Sequence, residues 1–271
     1  VERIEIIKGA KSAAYGQSEG GVINIITKKS ADAGELQLTT GNNDRRQYIF
    51  NYGVQTDKLG FRVYANKSEQ DAYLRNSDYD NEQTGINLNY KLSQTDSLRF
   101  NYDHQQLKRG LVIANNTSNF DSRYPISSGD TFANSNAAPE DGSYTKIYRN
   151  NFNVTWNSDR DNGSDSLTYW KNYEKQREHN VNAGKVMFDR YNVTDKSSGV
   201  MYKGNAKVNA KHHLGYGVDY KRLRYGYGWY NSNSTVTSDG ETKPAGGALY
   251  PSQKLDVWGA YIEDNWQIND R

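Results

Sequence analysis

Residues 85–103 read GINLNYKLSQTDSLRFNYD. Ile86, Leu88, Tyr90 and Leu92 alternate with Asn87, Asn89 and Lys91; beyond a polar break at Ser93–Ser97, Leu98, Phe100 and Tyr102 alternate with Arg99, Asn101 and Asp103. A period of two is that of a strand with one apolar face, and two such runs joined by a short polar break make an antiparallel hairpin. The same alternation recurs on both sides: Tyr48, Phe50 and Tyr52; Leu59, Phe61, Val63 and Ala65; Phe152, Val154 and Trp156; Val200, Tyr202, Ala206 and Val208; Leu214, Tyr216, Val218 and Tyr220. A shorter strand is predicted around Leu36 and Leu38, and a weaker one through Leu167, Tyr169 and Tyr173, interrupted by Lys171. The last strand changes phase between Val257 and Trp258, which reads as a β-bulge. The fold class is therefore all-β, with ten strands expected in one antiparallel meander.

Alternation alone does not separate a membrane barrel from a soluble sandwich, whose apolar face turns inward. The connections discriminate better. They are short at Gln55–Lys58, Ser93–Ser97, Ser158–Ser164 and Asn209–Lys211, and long at Glu69–Glu82, Gln106–Tyr144, Glu174–Lys196 and Lys221–Ser252. A final short turn begins near Ile268. Short turns at one end and long loops at the other are the pattern of outer-membrane barrels, with tight periplasmic turns and long extracellular loops. A compact soluble domain rarely carries several structureless loops beyond about 12–15 residues. Phe50, Phe61, Leu88, Phe100, Val154 and Val218 are then expected on the lipid-facing side. Tyr52, Tyr90, Trp156 and Trp266 lie near short turns, where a periplasmic aromatic girdle belongs; each is also simply a good strand residue.

Composition agrees. Of 271 residues only 35% are hydrophobic, with a mean hydropathy of −0.98, yet 22 are Tyr and 5 are Trp, which a disordered chain would lack. No run approaches the ~18 apolar residues of a transmembrane helix. There is no cysteine, so neither a disulfide nor a thiolate site is available. The net charge of +2 is the residue of 34 basic and 32 acidic side chains spread along the chain, with no basic patch suited to nucleic acid. The opening VERIEIIKG has neither the basic nor the apolar region of a signal peptide, so an exported protein's start is expected to lie upstream.

Residues 1–28, VERIEIIKGAKSAAYGQSEGGVINIITK, differ from all that follows. Val22–Ile26 is a short buried-strand run, and Gly20-Gly21 permits a tight turn or close backbone approach before it. The segment resembles the C-terminal end of the plug domain of TonB-dependent receptors, through Val1, Glu2, Arg3, Ile4, Glu5 and Gly9, then Tyr15-Gly16, then Gly20, Gly21, Val22, Asn24, Ile25 and Thr27. The family's usual Arg-Gly-Pro is Lys8-Gly9-Ala10 here; lysine keeps the charge but loses the planar fork, and Ala10 frees a fixed φ.

The resemblance implies a plug end over 1–30, a polar hinge near Lys28–Gly34, and the N-terminal part of a barrel over 31–271. The closing AYIEDNWQINDR resembles the family's recurrent strand-to-turn pattern. Barrels of this type have about 22 strands around a plugged lumen, so the chain is expected to be a fragment, a partial transmembrane antiparallel β-barrel. Arg3 and Lys8 are the implied plug–barrel lock. The implied partners are TonB, through a TonB box upstream of the plug, a ferric siderophore or similar small ligand, and outer-membrane lipid and lipopolysaccharide.

No catalytic motif is present, and no cofactor or metal site is expected. His212 and His213 flank a predicted turn, and His104 lies in a strand; His179 falls in a long loop and is a ligand-contact candidate. Asp78, Asp80 and Glu82 alternate like part of a calcium loop, but no glycine follows at the turn position. The sequon Asn116-Thr117-Ser118 carries no weight in a bacterial protein. Arginine and aromatic residues suit an anionic aromatic chelate. Arg75, Arg109, Arg123, Tyr124 and Arg177 are further candidates, in loops that also hold Tyr73, Tyr79, Trp229 and Tyr230; exposed loops of any barrel carry such residues. The function implied is energy-coupled import of a scarce nutrient, a ferric siderophore first. The same fold importing haem, cobalamin or an oligosaccharide, a passive porin or adhesin, and a soluble carbohydrate-binding β-protein are the rivals. A plug motif argues against an open pore.

Overall fold

A computed structural model describes residues 3–8, 21–26, 33–118, 120–129, 139–182, 185–225, 228–229, 235–236, 242–243, 248–250 and 253–268. Among these there is no helix. β1 (Arg3–Lys8) and β2 (Gly21–Ile26) form an antiparallel pair of their own. Gly21 has φ +129°, and a Cβ there would sit 2.5 Å from the Ile7 carbonyl oxygen, so only glycine fits this approach.

The main sheet is an antiparallel meander. It runs through β3 (Ala33–Gly41), β4 (Arg45–Gln55), β5 (Leu59–Gln70), β6 (Tyr79–Lys91), β7 (Asp96–Gly110), β8 (Tyr144–Arg160) and β9 (Gly163–Asn182). β10 (Lys185–Asp195) pairs with the far half of β9, and β11 (Ser198–Lys207) with its near half. β12 (His212–Tyr225) follows. Four short strands, β13 (Gly228–Trp229), β14 (Thr235–Val236), β15 (Thr242–Lys243) and β16 (Ala248–Tyr250), form two small pairs before β17 (Gln253–Trp266) closes the order beside β12. Among the described residues, β3 and β17 are each paired on one side only.

The register explains the faces. Val54, Phe61, Leu88, Phe100, Val154, Tyr169, Val200, Tyr220 and Trp258 stand opposite one another across nine strands, an unbroken apolar row. Phe50 and Val218 lie on the same face, so the six residues expected to face lipid share one side. No second sheet packs against it among the described residues, and Phe50, Val218 and Trp258 are 45%, 46% and 73% exposed. A contiguous apolar face of this size marks an interaction surface, for lipid or for another protein.

The opposite face is polar and bonded across strands. Asn87 donates to Asn101, which donates to Asn153, at 2.8 and 2.7 Å. The Tyr64 hydroxyl donates to Asp103 at 2.6 Å, and Gln83 donates to the same oxygen at 3.0 Å. The Tyr64 ring crosses Gly85, where a Cβ would meet it at 2.3 Å. Near the short turns, on the apolar face, Asp165 accepts from Tyr202 and Tyr216 and pairs with Arg160, tying the two tyrosines together.

Three expectations need correction. The phase change at Val257–Trp258 is no bulge: β12 and β17 pair without a shift, and the register shifts among the described residues lie between β9 and β10 and between β13 and β16. The strand through Lys171 is the longest, at 20 residues. Lys171 lies in register with Phe152 and Ser198, on the apolar face, where its alkyl stem can run along apolar surface towards water. Finally, Glu174–Lys196 is not a loop but the β9–β10 hairpin, and the connection after β5 spans only residues 71–78. In each case the ladder continues past the apolar residues, because backbone pairing needs no apolar side chain once strands are aligned.

Candidate functional site

The long-loop end carries the only buried hydrophobic side chains among the described residues. Leu111 and Ile113 are 6% and 2% exposed. Around them, segments 71–78, 111–118, 120–129 and 139–143 knit into a cap. The Leu111 and Ile113 amides donate to the carbonyls of Ser143 and Arg75, at 3.0 and 2.9 Å. Two asparagines act as hubs. Asn76, with φ 60°, donates to the Leu111 and Ser143 carbonyls at 2.8 and 2.7 Å. Asn115, fully buried, donates to the carbonyls of Asp121, Tyr124 and Pro125 and accepts from the Asp121 amide at 2.7 Å. Removing either takes a partner from buried backbone carbonyls, although the Ser143 and Asp121 carbonyls keep the Leu111 and Tyr124 amides.

The cap gathers three of the candidates. Arg75 donates to Asp141 at 3.1 Å, and its side chain is 18% exposed. Arg123 forks onto both Asp121 oxygens, at 3.0 and 2.7 Å, and lies over the Tyr124 ring at 5.5 Å. The Arg123 side chain and amide together pull the Asp121 carboxyl down to about 2. Arg75 and Asp141 also act on this pair, so two cations and two carboxylates form one balanced cluster. An anionic ligand would have to take the place of Asp121 or Asp141.

The remaining candidates go elsewhere. Arg109 is exposed on the polar face of β7, in register with Tyr79 and Thr145. Arg177 and His179 belong to β9 rather than a loop, on the same side as the apolar rows; the His179 ring stacks on Tyr144 at 4.9 Å. Arg3 donates to Glu5 at 2.8 Å, and Glu5 also accepts from Asn24. Both contacts hold the Glu5 carboxyl below its ordinary range. Lys8 ends β1 opposite Gly21. Tyr73 is exposed, and the Tyr79 hydroxyl bonds Ser68 at 2.6 Å. The Trp229 side chain and Tyr230 lie outside the described residues, as do most of the hinge and residues 9–20 of the plug motif. Of Asp78, Asp80 and Glu82, only the last two share a strand face, and no group of three acidic or histidine side chains converges among the described residues. The asparagine hubs were missed from sequence; the polar face was read from the alternation, but not the bonds that join it across strands.

No protein-family model matches this chain. Among curated proteins, it is 29% identical to the ferric enterobactin receptor of Pseudomonas aeruginosa over 304 residues, covering 99% of the chain and 40% of that protein. It is 29% identical to the iron-regulated outer membrane virulence protein of Vibrio cholerae, covering 100% of the chain and 37% of that protein. The ferrioxamine receptor of Yersinia enterocolitica is 25% identical over 99% of the chain and 42% of its own length. The chain thus spans about 40% of the length of the curated relatives it matches. Among solved structures, the ferripyoverdine receptor of the Pseudomonas aeruginosa outer membrane superposes with a TM-score of 0.73 at 16% identity, over 98% of the chain and 39% of that structure. The ferric-catecholate import receptor of Escherichia coli K12, in its open form, gives 0.70 at 15%, over 98% and 47%. These structures share the fold.

Proposed function

We propose, because this chain belongs to the family of TonB-dependent outer-membrane receptors, that it forms part of a receptor importing a ferric siderophore across a Gram-negative outer membrane. The observation that carries the reading is the sheet itself. One face carries an unbroken apolar row across nine strands with no second sheet packed on it among the described residues, and the other is a bonded polar wall. Lipid solvates the first and a lumen suits the second.

In this reading residues 1–30 are the end of the plug and 31–271 the first part of the barrel. The capped end faces outward, and Arg75, Arg123 and Tyr124 meet an anionic chelate as its oxygens replace those of Asp141 and Asp121. Arg109 on the lumen wall receives the chelate below the cap. Relatives that bind ferric enterobactin and ferrioxamine support a siderophore cargo. A plugged lumen passes such a chelate only when energy is supplied, so the receptor works with TonB. Uptake of radioiron by cells expressing the intact receptor, with and without an uncoupler of the proton-motive force, tests this. A drop of at least tenfold on uncoupling is expected; equal rates would mean a passive pore.

A further inference from the structure

We infer that the buried Asn180 amide acts as a release device, holding the clip between segment 139–143 and β9 close to its opening point. The inference concerns the cap itself; only its bearing on cargo rests on the receptor reading. Asn180 lies near the end of β9, one residue beyond the Tyr144–His179 pair, and is 0% exposed. Among the described residues neither its Nδ2 nor its Oδ1 has a hydrogen-bond partner. The cap's other two asparagines are the contrast, since Asn76 and Asn115 direct their amides onto backbone carbonyls. A buried amide without partners forfeits the bonds it makes in water. Any state that returns Asn180 to solvent is favoured by that difference.

The surroundings show which movement does so. Val181, the next residue, is gripped by the facing segment. The Glu140 amide donates to the Val181 carbonyl at 2.8 Å, and the Val181 amide donates to Ser143 Oγ at 2.9 Å. Ser143 is itself 1% exposed, and its carbonyl accepts from the Leu111 amide and from Asn76. One clip therefore joins β9, segment 139–143 and the buried end of segment 111–118. On the other edge of β9 the pairing is out of step at the same level. Val186 pairs with Val181 and Phe188 with Asn180, so one residue of β10 bulges between them. At Asn180, then, β9 has a side-chain clip on one edge and a bulge on the other. Gly142, at φ +92°, gives the segment a left-handed turn on which to swing. Burial of Leu111 and Ile113 closes the clip, and the stranded amide opens it. Opening also carries Asp141 away from Arg75, which donates to it at 3.1 Å. An anionic ligand then meets one competing carboxylate fewer, so the balance at Asn180 regulates an arginine that the receptor reading assigns to the chelate.

The test is amide hydrogen exchange, read by mass spectrometry with fragmentation, on the intact receptor in non-ionic detergent. In the unaltered protein the Leu111, Glu140, Ser143 and Val181 amides are expected to exchange together, about tenfold faster than amides of the central β7–β8 ladder. Asn180→Leu puts an apolar group of the same branched shape in place of the amide, and is expected to slow those four amides about tenfold. Ser143→Ala removes the hydroxyl of the clip and is expected to speed them. Faster or unchanged exchange in Asn180→Leu, or unchanged exchange in Ser143→Ala, would overturn the inference. If either variant fails to fold, the unaltered receptor decides alone: four amides that exchange no faster than the ladder overturn it as well. No ligand enters this measurement, so its failure leaves the import reading standing, and uptake that ignores the proton-motive force leaves the clip standing.

Discussion

At the scale of single residues, the cap depends on two side chains that sequence reading passed over. Asn115 is buried with all its polar atoms engaged, so Asn115→Ala leaves the Tyr124 and Pro125 carbonyls and the Asp121 amide short of a partner, while the Asp121 carbonyl keeps the Tyr124 amide. The expected cost is about 2 kcal/mol of local stability, seen as about thirtyfold faster exchange at the amides of Asp121 and Ser127. Unchanged exchange would show that the segment is held by Leu111 and Ile113 alone. Asp121 offers a second test. Its carboxyl is pulled down to about 2 by Arg123, below the ordinary aspartate value of about 3.9. A depressed pKa means the contact contributes fully above about pH 4 and is lost as pH falls through about 2. Peptic cleavage around exposed Phe120, measured against a free peptide of the same sequence, should therefore stay suppressed at pH 4 and rise towards pH 2. A constant ratio across that range would count against the Asp121–Arg123 anchor.

At the scale of strands, the two faces make opposite demands. Phe100 sits mid-strand in the apolar row, in edge-on contact with Phe152 at 5.3 Å, while its neighbour Asn101 lies in the polar ladder. Phe100→Arg is expected to cost about 2–4 kcal/mol in lipid. Asn101→Arg should cost about 1 kcal/mol, the worth of the hydrogen bonds it breaks. Unfolding of the intact receptor from vesicles by denaturant measures both; equal costs would mean that neither face is set in lipid. This asymmetry was legible in residues 85–103 alone, because side chains that alternate declare their face directly. The β9–β10 hairpin was not legible. Past Tyr173 the strand reads Glu174-Lys175-Gln176-Arg177-Glu178, charged on both sides, and a rule that detects strands by one apolar face has nothing to detect there. Asn76 and Asn115 were invisible for a different reason: their partners are backbone groups, in other loops for Asn76 and in its own for Asn115, and backbone groups leave no mark on sequence.

At the scale of the whole chain, the meander is open. β3 and β17 present unpaired edges among the described residues, and each unsatisfied backbone group in lipid costs several kcal/mol. Residues 1–271 expressed alone are therefore expected to be insoluble without detergent and to bind no siderophore above background. A monodisperse, ligand-binding preparation would refute this. The strand lengths carry one more consequence. β3 has 9 residues and β5 has 12, whereas β8 and β9 have 17 and 20. The stretch of β9 beyond Tyr173 continues for about 30 Å along the strand, or about 20 Å of height once tilted. The rim of the mouth therefore slopes, low at β3–β5 and raised like a parapet at β8–β10. In the receptor proposed above, a bulky solute arriving from the medium would meet that parapet on one flank and lower strand ends on the other, so entry would have a preferred direction before any chemical recognition begins.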